Sequence, residues 1–119
     1  MDLTNFNIIE FDSPDKPGSG SKMDRDFLII LDKIRADFGK PLKVNSGFRT
    51  KKHNAIVGGR VGSSHLKGLA VDLHCNNSGD RTLLLKAIYK NGIKRVGVAK
   101  TFMHIDTDTN KGAACWLYN

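Results

Sequence analysis

The sequence predicts an α+β fold: a small, mainly antiparallel sheet with two helices packed on it. Three observations predict it. Apolar residues recur at spacings of three and four over residues 23–38 and again over 80–91, the period of amphipathic helices. Leu69–Cys75, Ile93–Val98 and Phe102–Thr107 instead read as strands, rich in aliphatic and β-branched residues. The tight connection between the last two makes them an antiparallel hairpin.

Taken in order, residues 1–12 hold NFNIIEF, a short apolar segment expected to pack as a strand or extended arm. DSPDKPGSGS, with its prolines and glycines, is a loop. The first helix runs from about Met23 to Phe38 and buries Phe27, Leu28, Leu31, Ile34 and Phe38. Asp24 and Asp26 suit the positive end of its dipole, and Gly39 followed by Lys40-Pro41 stops it. Leu42–Val44 is a short strand candidate. It leads into NSGFRTKKHNAIVGGRVGSSH, a polar, glycine-rich stretch of a length that marks functional loops. After the strand Leu69–Cys75, Asn76-Asn77-Ser78-Gly79 forms a turn. The second helix, Asp80–Asn91, carries Leu83, Leu84, Ala87 and Ile88 as its apolar stripe and ends at Gly92. Thr109–Gly112 is a loop, and CWLYN is a last short strand.

A length of 119 residues fits one domain, expected to span 1–119. No run of 18 apolar residues is present, so membrane insertion is not expected. MDLTNFNIIEFDSPD lacks a basic segment followed by an apolar core, so the protein is expected to start in the cytoplasm without a signal peptide. The net charge of +7 favours polyanionic partners: nucleic acid, anionic lipid or cell-wall polymers. The cations are scattered and no basic helix interleaved with aromatics occurs, so nucleic acid is not the expected partner. A monomer is expected. Cys75 and Cys115 are forty positions apart with no CxxC, and read as reduced thiols buried in strands.

The chemistry centres on SSHLKGLAVDLHC, residues 63–75. Asp72 lies between Val71 and Leu73 inside an apolar strand, where a carboxylate is costly unless paired. Alternation puts Ala70, Asp72 and His74 on one strand face, and Phe102, His104 and Asp106 on one face of the later strand. If the two strands pair, Asp72 and His104 converge and His65 arrives from the preceding loop. Two neutral histidines and a carboxylate suit Zn²⁺, one per chain, with a fourth tetrahedral position open for catalysis. Spacing alone equally fits a buried Asp–His pair that ties two strands together.

Ser63-x-His65-x-x-Gly68-x-Ala70-x-Asp72 resembles the zinc signature of the D-alanyl-D-alanine carboxypeptidase and dipeptidase family, which shares its fold with the hedgehog signalling domain. His104 in FMHID matches the family's distal histidine. Asn5-Phe6, Glu10-Phe11, GKP, SGFRT, HN, VGG and the tryptophan-containing ending resemble its short, single-domain members, often found in phages. The resemblance implies zinc held by His65, Asp72 and His104. It also implies hydrolysis of peptide bonds in bacterial cell-wall stem peptides, by an enzyme released onto the wall or carried in a virion.

Arg49 matches a family arginine near the substrate, where a guanidinium holds a carboxylate or stabilises an oxyanion. Ser63 is expected to hydrogen-bond within the site, and His53 to shape the cleft or lie at the surface. Small residues at Gly68 and Ala70 let the backbone pass beside the metal. The chain departs from the pattern at the general base. Dipeptidase-like relatives have a carboxylate three residues before the distal histidine, where this chain has Thr101. Others have a histidine two before it, where this chain has Phe102. Asp106, two beyond His104 on the same face, is the best candidate for a base. It is equally suited to orienting a ligand imidazole. Without a base, the chain reads as an inactive, zinc-containing, hedgehog-like binding module.

Overall fold

The computed structural model describes residues 3–118. Its centre is a five-stranded sheet in the order β1-β2-β4-β3-β5, with β1 Val44–Ser46, β2 Ala70–His74, β3 Arg95–Val98, β4 Phe102–Asp106 and β5 Ala114–Leu117. The pairs β1–β2, β2–β4 and β4–β3 are antiparallel, and β5 joins β3 in parallel. The fold is thus the α+β arrangement the sequence predicts, with the expected hairpin at β3–β4.

Helix α1, Arg25–Phe38, begins where the Asp24 side chain accepts a hydrogen bond from the Phe27 N–H at 3.0 Å. It ends at Gly39, whose φ of 77° closes the helix through its N–H to the Arg35 carbonyl. Phe27, Leu28, Leu31, Ile34 and Phe38 are all buried, as their spacing requires. Helix α3, Ser78–Lys90, is capped by Asn77, which accepts from the Asp80 N–H at 2.8 Å, and packs on α1. Ser78 and Gly79 therefore belong to the first helical turn rather than to a separate turn. Leu84, Ala87 and Ile88 are buried, whereas Leu83 is exposed: the core-facing stripe of α3 is narrower than its apolar residues suggest.

Both helices cover one face of the sheet. Val71, Leu73, Val96, Met103 and Ile105 point into that core and are wholly buried. Side chains of this size stabilise by about 1.5–3 kcal/mol each when fully buried. The opposite face carries Asp72, His104 and Asp106.

Four local expectations are corrected. NFNIIEF forms no strand: Ile8–Phe11 is a 3-10 turn closed by a capping box between Asn7 and Glu10. The polar stretch before His65 is partly helical, with α2 over Lys51–Ile56 and a 3-10 turn over Ser64–Lys67. Cys75 is buried but Cys115, on the edge strand, is exposed. Gly68 is small for a reason other than the metal. Its φ is 70°, and a Cβ there would collide with the Lys22 carbonyl and stand 2.9 Å from the Met23 Cα. The segment before α1 docks on this turn through the Asp24 N–H to the Gly68 carbonyl.

Candidate metal centre

Register builds the site. Asp72 pairs with His104 across β2–β4, His104 with Gly97 across β4–β3, and Gly97 with Trp116 across β3–β5. On the other side Asp72 pairs with Ser46 of β1. One row therefore crosses all five strands on the face away from the helices. His65 enters over it from the 3-10 turn, in which its own N–H is capped by Ser63 Oγ at 3.2 Å.

His65, Asp72 and His104 each offer one ligand atom, and these atoms all lie within 4.8 Å of one another. Asp72 Oδ1 is 3.3 Å from His65 Nε2 and 2.9 Å from His104 Nδ1. Ligands about 2.0–2.1 Å from a tetrahedral ion stand about 3.3 Å apart, so the spacing suits zinc. The far side of each ring is also held. His65 Nδ1–H donates to the Gly47 carbonyl at 2.8 Å, and His104 Nε2–H donates to Asp106 Oδ2 at 2.8 Å. These contacts favour the tautomers in which His65 Nε2 and His104 Nδ1 would keep a lone pair for a cation shared with Asp72. The residues fit zinc in donor type, number and orientation.

The charges follow. Burial pushes the Asp72 carboxyl up, but hydrogen bonds from His104 and His65 outweigh it and hold the group well below the usual carboxylate range. Burial pulls His104 down, while Asp106 and Asp72 raise it more. Asp106 is likewise pushed up by burial and brought below its ordinary value by His104, the Asp108 N–H and Arg95. Without a cation the cluster thus favours a protonated imidazole between two carboxylates. A metal held by these residues would take the place of that proton.

Asp106 is 1% exposed, and both its oxygens are taken. Oδ2 accepts from His104; Oδ1 accepts from Arg95 Nε at 2.8 Å and the Asp108 N–H at 3.1 Å. Arg49 is as fully engaged: Nη2 is 3.3 Å from Asp72 Oδ2, Nε donates to Ser46 Oγ at 3.0 Å, and Nη1 to Asn54 Oδ1 at 3.2 Å. Its backbone N–H also holds the His65 carbonyl. His53 lies on α2, half-buried, outside the ligand cluster. His74 is exposed on β2.

Three features were not legible as site residues. Trp116 packs its ring 5.5 Å from that of His104 and lies over the Arg95 guanidinium, 5.0 Å from its centre. Gly97 makes room for it: a Cβ there would stand 2.5 Å from Trp116 Nε1 and 2.6 Å from Tyr118 Cε2. Tyr118 stays a phenol, because burial raises it and the Asp72 and Asp106 charges push the same way against Trp116 and Arg49. A glycine between two valines in a strand was the available signal for this close approach. A cleft of about 700 Å³ opens here, lined by Ser63, His104, Asp106, Trp116 and Tyr118 among others.

The profile described as "Peptidase M15" matches residues 11–106, from the buried Phe11 through the last residue of β4, and β5 with Trp116 lies beyond it. No curated protein matches the sequence. A match over this much of the chain, ending on the strand that carries His104 and Asp106, places the protein in the peptidase M15 family, whose members are zinc-dependent metallopeptidases.

Proposed function

We propose that this protein is a zinc peptidase that hydrolyses peptide bonds in bacterial peptidoglycan stem peptides, as a D,D-carboxypeptidase or an endopeptidase. The observation that carries the proposal is the pair of imidazoles, each held from behind by Gly47 or Asp106 so that its other nitrogen stands beside Asp72 Oδ1. His65, Asp72 and His104 would hold the ion. Zinc, when bound there, supplies a Lewis acid for the scissile carbonyl and activates water near neutral pH.

The remaining residues have distinct tasks. Asp106, with both oxygens occupied on the far side of His104, orients that ring rather than taking a proton from water. Arg49, bound to Asp72, Ser46 and Asn54, sets the position of the carboxylate ligand. Ser63 shapes the turn that delivers His65, and Trp116 and Tyr118 wall the cleft. A lytic role on the cell wall, of the kind phage enzymes perform, rests on the sequence resemblance alone.

A second reading is a zinc-holding binding module. Among the described residues lining the cleft, Asp106 is the only carboxylate, and it is not free. Mass spectrometry of peptidoglycan fragments incubated with the zinc-loaded protein, beside His65→Ala, separates the two. Loss of a terminal alanine establishes a carboxypeptidase, and internal cuts establish an endopeptidase. Intact fragments with stoichiometric zinc overturn the hydrolase reading in favour of the module.

A further inference from the structure

A peptidase cleft must also hold its substrate's charge, and Arg49, the sequence's candidate for that task, is spent on Asp72, Ser46 and Asn54. The cleft beside His104 is lined by three other cations, Arg60, Arg95 and Lys111. Arg95 is neutralised by Asp106 at 2.8 Å. Asp108, also buried, is shared between Lys67 Nζ at 3.0 Å and Lys111 Nζ at 3.8 Å. In the cleft wall itself Asp106 alone stands against Arg60, Arg95 and Lys111, and Asp108 behind it is shared with Lys67, so the wall is left with a positive surplus.

Arg60 is the exposed member, and among the described residues its guanidinium has no hydrogen-bond or ion-pair partner. Its backbone is nevertheless held on both sides. The Asn54 side chain, 4% exposed, accepts from Arg49 Nη1 and donates to the Arg60 carbonyl at 2.8 Å. Gly59 permits that approach, since a Cβ there would collide with Asn54 Oδ1. Lys111 Nζ then donates to the Gly62 carbonyl at 3.0 Å and Ser64 Oγ at 2.9 Å, tying the segment to the loop after β4. An ammonium has three protons, and the third faces only Asp108 Oδ2 at 3.8 Å, beyond hydrogen-bond reach, so Lys111 keeps one donor for a ligand. Asn54 therefore couples the base of Arg60 to Arg49 and through it to Asp72. A merely solvated surface arginine needs no such framework.

We propose that Arg60 and Lys111 form an anion subsite that holds a free carboxylate of the peptide substrate, on the Trp116 side of the metal cluster. The subsite rests on the peptidase reading and narrows it to acidic peptides. In a stem peptide that carboxylate is either the C-terminal one or the one borne by a glutamyl residue. Both meet a fork of guanidinium donors in the same way.

The test uses three otherwise identical stem peptides: free at both positions, amidated at the C-terminus, or amidated at the glutamyl carboxyl. The zinc-loaded protein should cleave the free peptide with a kcat/KM roughly two- to fivefold above that of one amidated form, which names the carboxylate. Arg60→Gln should raise KM for the free peptide alone, leaving kcat and zinc content unchanged. The preference should shrink with added salt. Equal cleavage of all three peptides, or an equal loss on all three in Arg60→Gln, overturns the subsite while leaving the peptidase intact. If nothing is cleaved, the peptidase reading fails by itself. Quenching of the single tryptophan, Trp116 in the same cleft, then reads binding of the same peptides. Tighter binding of the free peptide that Arg60→Gln abolishes supports the subsite, and equal binding of all three overturns it.

Discussion

Replacing Gly97 by alanine should disturb the site while sparing the fold. Gly97 is not among the glycines with positive φ, so alanine adopts its backbone without strain. The added Cβ would stand 2.5 Å from Trp116 Nε1 and 2.6 Å from both Trp116 Cε2 and Tyr118 Cε2. Carbon contacts settle near about 3.5–4.0 Å, so both rings must retreat by about 1 Å. They belong to partly exposed side chains and can pivot outward. The retreat loosens the packing of Trp116 on His104, about 0.5–1.5 kcal/mol, and on Arg95, about 0.5–1 kcal/mol. The lower chain entropy of alanine returns about 0.5 kcal/mol. The net loss is about 1 kcal/mol. For a chain of 119 residues, with an unfolding entropy of about 2.1 cal/mol/K per residue, that lowers Tm by about 4 °C.

The chain's single tryptophan makes the displacement visible. Folded Gly97→Ala should show a shifted Trp116 emission and at least a tenfold lower kcat/KM, with a Tm loss under about 8 °C. Gly68→Ala is the contrast. Its φ of 70° and the Lys22 and Met23 backbone atoms in its way leave nothing to pivot, so it should cost about 2–3 kcal/mol, or about 10 °C, with unchanged emission from the folded protein. If Gly97→Ala instead loses more than about 12 °C while its folded emission stays that of the parent, Gly97 serves the backbone and the reasoning is refuted.

Asp106→Asn should keep the fold and weaken zinc about 10–100-fold in a chelator competition, because the anion behind His104 is gone. Unchanged affinity with abolished turnover would instead make Asp106 the base. Stripping the metal with a chelator should lower Tm by about 10 °C at free zinc near one hundred times Kd, with recovery on readdition; a Tm indifferent to zinc would count against the site. Asp108 should make the metal-free protein acid-labile. Burial raises its carboxyl, yet Lys67, Ser64 and the Asn110 N–H bring it down to about 2 from 3.8. A lowered carboxylate stabilises fully above its unfolded value and loses the effect as pH falls through its folded value. About 2 kcal/mol should therefore vanish between about pH 4 and pH 2, a loss absent from Asp108→Asn. Denaturant midpoints at pH 5 and pH 2.5 measure it, and parallel midpoints in both proteins would sink it.

How much of this was legible depends on how local each cause is. Helix α1 was, because Asp24, the Phe27–Phe38 spacing and Gly39 all lie in the helix or at its two caps. The alternation that puts Asp72 and His104 on the open face was legible too, since a strand's period is fixed at two. The 3-10 turn at Ile8–Phe11 was not. NIIEF has the apolar density of a strand, and the Asn7–Glu10 capping box decides otherwise. The commitments of Arg49 and Asp106 were equally hidden. Ser46, Asn54 and Arg95 claim their atoms from three other elements, and nothing in the spacing of SGFRT or FMHID announces those partners. Trp116 was visible as a residue but not as part of the site. Its place depends on β5 adding in parallel beside β3, a long-range pairing with no sequence period of its own.

The row Ser46–Asp72–His104–Gly97–Trp116 explains how the sheet brings two of the candidate metal ligands together. Each ligand on the sheet is held by backbone ladders on both sides, so its Cα is fixed by pairing that the helices stabilise from the other face. A slip of one residue between β2 and β4 would turn Asp72 into the core and Val71 toward solvent, which the buried Val71, Leu73, Met103 and Ile105 forbid. The apolar face thus enforces the register of the polar one. Only His65 stands outside this control, and it is where the auxiliary bonds gather. Gly47 holds its ring, the Arg49 N–H holds its carbonyl, and Ser64 next to it is anchored to Asp108. The ligand that the sheet does not place is the one the surrounding loops must.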